Sequence, residues 1–203
     1  MVHEFFGEQQ YALERGSVRV RAEPGDTVVD GGAGWGETAL YFADAVGQSG
    51  RVLTFEFGPD NLRLLDANLA LNPGLRDRIE IVPRPLWDAP DQPLRFDEAG
   101  GQTSVTGDSG TQEVLTQTID AAAGGQAVDF IKLDVEGAEM AALRGAEQTI
   151  RDHRPKLALS VYHSVADMAA IPTWVHDLGL GYRLYLDHRW PGPAETILFA
   201  QPA

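Results

Sequence analysis

Cysteine is absent from the 203 residues. That excludes disulfides, thiolate nucleophiles and Cys-ligated zinc, and it leaves the redox compartment open. Cations are scarce: 16 Lys and Arg stand against 30 Asp and Glu, for a formal net charge of −14. So acidic a surface repels phosphate backbones and anionic lipid, which argues against nucleic acid and membrane partners. No stretch approaches the roughly 18 consecutive apolar residues of a spanning helix. Met1-Val2-His3-Glu4-Phe5-Phe6 lacks the basic-then-apolar layout of a secretory signal. Repeats and low-complexity tracts are missing too. The expectation is a soluble, cytoplasmic protein whose partner is a small or carrier-bound molecule. With 43% hydrophobic residues, the chain has room for one well-buried core, a single domain over 1–203. Nothing in the pattern specifies an oligomeric state.

Strand and helix signals alternate, as in βαβ units around a parallel sheet. Thr27-Val28-Val29-Asp30 leaves the turn Pro24-Gly25-Asp26 as a first core strand. Over 37–46, Ala39, Leu40, Phe42, Ala43 and Val46 fall at helical spacing, and Gly47 and Gly50 end the helix. Residues 51–56 read as the second strand. Pro59 suits a first helical turn, Leu62, Leu65 and Leu69 mark that helix's buried face, and Asn72-Pro73-Gly74 stops it. Further strands are expected at 79–82, 129–134 and 156–162, with helices over about 137–151 and 165–178. The last two strands, 182–187 and 196–200, are separated by a Pro/Gly-containing loop too short for a crossover helix. They predict an antiparallel hairpin at one edge of the sheet.

The expected fold is therefore α/β: a class I methyltransferase, Rossmann-like, seven-stranded sheet. It has five parallel strands plus a C-terminal antiparallel hairpin, with helices on both faces. Residues 1–26 are expected to cover the entrance, with the alternating Ser17–Arg21 as a strand or hairpin. Residues 88–113 are rich in Pro, Gly, Asp, Ser and Thr and show no periodicity. They are expected to be a structureless substrate lid or a mobile loop.

Ligands of open α/β sheets bind beyond the carboxyl ends of the strands, where strand order reverses. After the first strand, Gly31, Gly32 and Gly34 allow a ligand close to the backbone, and the amides opening the next helix favour a carboxylate such as methionine's. A dinucleotide loop reads G-x-G-x-x-G. Here Gly32, Gly34 and Gly36 give G-x-G-x-G, and Glu37 stands at the dinucleotide's third glycine. Asp30 can reach a cofactor ammonium, whereas beside a pyrophosphate it would repel. The spacing favours S-adenosylmethionine, with S-adenosylhomocysteine as product, over NAD(P). Glu56 closes the second strand and can accept both ribose hydroxyls, and Phe57 can pack on adenine. After the third strand, Pro85-Leu86-Trp87-Asp88 forms the expected adenine wall, with Trp87 either a stacking platform or core. Taken alone, the glycine loop also reads as a plain strand-to-helix turn; Glu56 at the neighbouring strand end weighs for a cofactor.

The segment Asp129-Phe130-Ile131-Lys132-Leu133-Asp134-Val135-Glu136-Gly137-Ala138-Glu139 resembles the D-x-I-K-x-D-V-E-G-A-E signature of FkbM-family methyltransferases. Leu143-Arg144-Gly145-Ala146 matches that family's L-x-G-A. Asp30–Thr38, Phe55-Glu56, Asn68 with Asn72, and Tyr162-His163 fit it as well. The resemblance covers roughly residues 27–200. It implies an S-adenosylmethionine-dependent enzyme acting on hydroxyls of sugars, polyketides or other products of natural-product biosynthesis. The implied cofactor set is Asp30, Gly31, Gly32, Gly34, Trp35, Thr38, Glu56, Phe57, Leu86, Trp87 and Asp134. The chain departs from the family at Glu56-Phe57-Gly58-Pro59, where proline lies two positions later than in the usual E-P. The region before Thr27 is also short, so substrate-gripping elements of larger relatives would be missing or supplied by a neighbouring domain.

Methyl transfer to a hydroxyl is an in-line displacement at an activated sulfonium, so the enzyme must align the oxygen and remove its proton. His163, at the end of the fifth strand, is the expected general base, and Asp134, Glu136 and Glu139 can orient it or raise its pKa. Glu139 and Glu136 also suit a helix N-terminus. His188 and Glu195 form a second-choice pair. Asp134, Glu136 and His163 offer ligands for Mg²⁺ or another divalent ion, completed by waters. Metal-dependent catechol-type enzymes, however, carry Asp-Asn after the fifth strand, where this chain has Tyr162-His163-Ser164, so a metal-independent base is expected. The competing readings are an NAD(P)-dependent oxidoreductase and a non-catalytic cofactor-binding domain.

Overall fold

A computed structural model describes residues 6–99, 102–105, 110–188 and 195–203. The start of the chain (residues 1–5) and the Pro/Gly loop expected between the last two strands (189–194) lie outside the described residues, as do 100–101 and 106–109 of the expected lid. A small hairpin, β1 (Leu13–Arg15) with β2 (Val18–Val20), leads into β3 (Thr27–Gly31), α1 (Glu37–Ala45), β4 (Arg51–Phe55), α2 (Pro59–Ala70) and a one-turn α3 (Pro73–Arg76). Then come β5 (Ile79–Val82), β6 (Pro93–Ala99), β7 (Gln102–Val105), β8 (Gln112–Leu115) and α4 (Ile119–Ala123). The chain returns through β9 (Phe130–Leu133), α5 (Glu139–Arg144), α6 (Glu147–His153), β10 (Lys156–Ser160), α7 (Asp167–Asp177), β11 (Arg183–His188) and β12 (Thr196–Gln201).

Seven strands form the main sheet in the order β11-β12-β10-β9-β3-β4-β5. Chain direction explains the order. The path runs outward from β3 through β4 to β5, then jumps back to β9 and runs the other way. The reversal falls between β3 and β9, which pair in parallel from Val28 to Gly31. Strand β12 slots antiparallel between β10 and β11. The expected class I architecture, hairpin included, is what the chain adopts.

Alternation along each strand divides the core in two. Val28, Val52, Ile79, Phe130, Ala158 and Phe199 pack with Leu40, Phe42, Leu65 and Leu69 of α1 and α2 and with Leu13 and Val20 of the first hairpin. On the other face Val29, Leu53, Ile131, Leu157 and Leu198 meet Ile119, Leu143, Ile150, Ile171 and Val175 of α4 to α7.

Two elements differ from expectation. The helix expected over about 137–151 is broken into α5 and α6. Gly145 is pressed against the Trp87 carbonyl, where a Cβ would lie 2.0 Å from that oxygen, and Asp120 accepts from Gln148 N and Thr149 N at the start of α6. The segment 88–113 is not structureless: β6 pairs antiparallel with both β7 and β8 in a separate small sheet. Between Asp91 and Asp97 only Phe96 is buried. The ladder is therefore held by backbone hydrogen bonds with almost no apolar alternation to announce it.

Beneath the β3–α1 loop lies Lys132, fully buried on β9. Its Nζ donates to Gly31 O (2.9 Å) and Gly32 O (2.6 Å) and stands 3.2 Å from Asp30 Oδ1. Asp30 is equally buried and accepts from Thr38 Oγ1 at 2.8 Å. Removing one member of a buried pair leaves the other charge uncompensated. Lys132→Met is expected to lower stability by about 3–5 kcal/mol in urea unfolding, and adding Asp30→Asn to recover part of that loss. A Lys132→Met protein as stable as wild type would show that the pair is not what holds the loop.

Candidate active site

The loop after β3 is folded back onto the sheet. Gly32 N and Ala33 N donate to Phe55 O at 3.0 and 3.1 Å. Gly32 has φ +80°, and a Cβ there would sit 1.9 Å from the Asp134 carbonyl, so only glycine lets the loop touch the end of β9. Gly34 is different. Its φ is +53° and nothing lies within 4 Å of its Cβ position, which leaves open space where a ligand can approach. The room a side chain would need at Gly31 is filled by Leu86 and Leu133.

Glu56 stands just beyond β4 and is 6% exposed. Its carboxylate accepts from Phe57 N (2.7 Å) and Gly58 N (2.8 Å) through Oε1 and from Asn61 Nδ2 (3.3 Å) through Oε2. Burial pushes its carboxyl above the usual range, against these bonds and one from the Gly34 amide. Trp35 Nε1 donates to Asn61 Oδ1 at 3.1 Å, and Asn68 Nδ2 donates to Trp35 O at 2.8 Å. The fold thus links Trp35 to Glu56 through Asn61, while Gly34 meets Glu56 directly through its amide. Phe57 meets Phe96 of β6 edge to face, ring centroids 5.1 Å apart, so the small sheet stands over this side. Leu86 is core, and half-buried Trp87 is held by its amide on Gln117 O.

Asp30 and Thr38 sit elsewhere than the sequence reading put them. Asp30 was expected to reach a cofactor ammonium, but Lys132 and Thr38 engage its two oxygens in the interior and it has no exposed surface. Both residues brace the loop from beneath.

The second half of the site gathers at the ends of β9 and β10. His163 Nδ1 lies 2.9 Å from Glu139 Oε1, and Nε2 lies 3.5 Å from Glu136 Oε2 and 3.6 Å from Asp134 Oδ1. Glu139 opens α5, is fully buried, and accepts from Val135 N at 2.8 Å, so its helix-terminal position also aims it at the imidazole. Glu136 reaches the cluster from a left-handed backbone, φ +53°, a conformation rare for a side-chain-bearing residue. Asp134 is gripped by two phenols: Tyr11 OH donates at 2.7 Å and Tyr162 OH at 3.1 Å.

Burial drives the Asp134 carboxyl up, but Lys132, the Tyr11 bond and His163 outweigh it and hold it below the ordinary value. Burial would lower the His163 pKa, yet Glu139, then Asp134 and Glu136, raise it overall. Both phenols are raised, chiefly by burial and then by Asp134, so they remain donors.

Tyr11 and Asn61 carry no sequence signal for these roles. Tyr11 precedes the regular elements, and only the fold carries it 123 positions along the chain to Asp134. His188 Nδ1 contacts Thr196 Oγ1 at 2.8 Å, while Glu195 accepts from Gln10 and helps raise Tyr11 and Tyr162.

A sheet of this order, with a glycine loop and an acid at its reversal, defines the class I methyltransferase fold. The sequence matches the methyltransferase FkbM domain over residues 20–184, and the chain belongs to that family. It is similar to a methyltransferase FkbM from Methylobacillus flagellatus KT, at 24% identity and TM-score 0.74, covering 97% of this chain and 50% of that one. The chain therefore spans about half the length of that relative. Fibrillarin of Aeropyrum pernix, solved with natively bound S-adenosyl-L-methionine, shares the fold at 16% identity and TM-score 0.61, covering 95% of this chain and 74% of its own. So does an S-adenosylmethionine-dependent O-methyltransferase of Thermotoga maritima, at 19% identity and TM-score 0.58, covering 90% of this chain and 61% of its own. No curated protein matches the sequence significantly. Among the described residues, no helix is long and apolar enough to cross a membrane.

The raised pKa of His163 gives a pH test. A histidine whose folded value lies above its unfolded one, about 6.5, stabilises fully below the unfolded value and loses that contribution as pH rises through the folded one. The stability gap between wild type and His163→Gln should be widest in acid and shrink across that window. In NMR titrations the His163 midpoint should lie above about 6.5 and fall in Glu139→Gln. A midpoint below 6.5 would mean that desolvation, not the carboxylates, governs the ring.

Proposed function

We propose that this domain transfers the methyl group of S-adenosylmethionine to a hydroxyl oxygen of a small-molecule, sugar or carrier-bound acceptor, with His163 as proton acceptor. The observation that carries the reading is the imidazole just beyond β10, ringed by Glu139, Glu136 and Asp134 and joined to the cofactor loop where Gly32 meets Asp134.

Three features take the cofactor. Gly34 opens space for it, Glu56 meets its ribose, and Phe57 with Trp87 flanks its adenine. Bound this way, the sulfonium points toward the ends of β9 and β10. The acceptor oxygen attacks the methyl carbon as the carbon–sulfur bond breaks, leaving S-adenosylhomocysteine, and the hydroxyl proton passes to His163. Glu139 and Asp134 stabilise the resulting imidazolium, much as a carboxylate orients and supports a catalytic histidine elsewhere. The β6–β8 sheet, reached through Phe57 and Phe96, is the proposed lid. A net charge of −14 and a hydroxylated acceptor fit a cytoplasmic role in natural-product biosynthesis without nucleic acid or membrane partners.

Thermal-shift measurements should show stabilisation by S-adenosylmethionine and S-adenosylhomocysteine and none by NAD. Stabilisation by NAD alone would point to an oxidoreductase. With an acceptor found from a panel of hydroxylated compounds, His163→Ala is expected to lower turnover by about 10²–10⁴-fold with cofactor affinity unchanged. Because the base must be neutral, wild-type turnover should rise with pH through the raised His163 value. Near-wild-type turnover in His163→Ala would remove the histidine from the mechanism.

A further inference from the structure

The acid cluster holds more negative charge than its surroundings balance. Three carboxylates surround one imidazole, while the nearby Lys132 ammonium is occupied by Gly31 O, Gly32 O and Asp30. One oxygen stands out. Glu139 Oε2 belongs to a fully buried side chain and has no hydrogen-bond partner. Buried charges are ordinarily paired or coordinate a metal.

We infer that Asp134, Glu139 and His163 form a binding site for a divalent ion of the zinc type, and that the ion competes with the proton for His163. One ligand atom from each residue lies within 4.8 Å of the others. Bonds of about 2.0–2.2 Å to a common ion would bring such atoms to roughly 3–4 Å from one another, so the groups need only draw in slightly. Tyr11 and Tyr162 already hold Asp134 by hydrogen bonds of the kind that orient metal ligands. The partly exposed side of His163 and Asp134 leaves water to complete the shell.

Chemistry chooses the ion. An acceptor's ammonium on a carbon skeleton cannot reach an oxygen with no exposed surface, whereas a bare ion can. Imidazole with two carboxylates suits Zn²⁺ better than Mg²⁺, which prefers oxygen and keeps its waters. The ligand set also departs from the one the sequence suggested: Glu139 replaces Glu136. This inference rests on the proposed reaction only for its consequence, because an ion on the imidazole removes the lone pair that would take the acceptor's proton.

The test is calorimetric titration of the whole chain with ZnCl₂ in millimolar Mg²⁺, which occupies acidic surface sites, without cofactor or acceptor. One ion per chain is expected, with proton release and affinity falling as pH drops through the His163 midpoint. His163→Ala and Glu139→Gln should each weaken binding at least about 10-fold, and Glu136→Gln should leave it intact. If Glu139→Gln fails to fold, judged by circular dichroism, His163→Ala alone decides. Absence of a saturable site, or full-strength binding in His163→Ala, overturns the inference. In methyl-transfer assays one equivalent of Zn²⁺ should abolish turnover and a chelator restore it. Turnover unchanged or raised with the ion bound would overturn the competition. A protein that binds Zn²⁺ as described but methylates no hydroxyl would instead sink the proposed reaction and leave the ion site standing.

Discussion

The Lys132–Asp30 pair is the constraint on which the rest of the site depends. A charged ammonium inside a sheet is tolerable only when its donors are met, and here they meet one short stretch, Asp30, Gly31 and Gly32. The pair therefore acts as a brace between β9 and the end of β3. With the brace in place, Gly32 comes to rest against the Asp134 backbone, and the loop after β3 and the acid cluster become parts of one rigid body. The Tyr11 ring lies 5.2 Å from the same ammonium, which brings the N-terminal segment into the arrangement.

From that brace outward, the site divides by charge. On the β4 side Glu56 is satisfied almost wholly by amides, its own neighbours' and Asn61's, so it is rigid before any ligand arrives. On the β10 side three carboxylates share one imidazole. Phenol hydroxyls satisfy Asp134, but Glu139 and Glu136 lean on His163. A single imidazole thus answers to several acids, which is why its pKa rises despite burial. The same imbalance makes it a stronger base and an attractive ligand.

Much of the fold was legible in the sequence, for a physical reason. Buried parallel strands are continuous apolar runs punctuated by Gly, Pro and acidic strand ends, and each such run proved to be a strand. The small sheet was not legible, because among the described side chains of β6 and β8 only Phe96 is buried and the strands rely on backbone pairing. Gly145 looked like one glycine inside a helix, and only the Trp87 carbonyl against it explains the break. In the site, His163 and its acids were readable from strand ends. The true position of Asp30 was not, since an acid before a glycine loop reads the same whether it faces a ligand or a lysine beneath.

Tyr11 shows where such reading stops. Nothing local marks it: it precedes a three-residue strand in a segment expected only to cover the sheet's entrance. Its placement comes from long-range ties. The first hairpin packs Leu13 and Val20 into the core, Arg15 pairs with Asp187 of β11 at 2.7 Å, and Gln10 meets Glu195 before β12. These ties bind the segment before the sheet to the hairpin that ends it. A cover in the sequence becomes a wall in the structure, and its phenol reaches the same carboxylate as Tyr162. The surroundings of Asp134 are therefore built from the segments before and after the central strands as well as from those strands themselves.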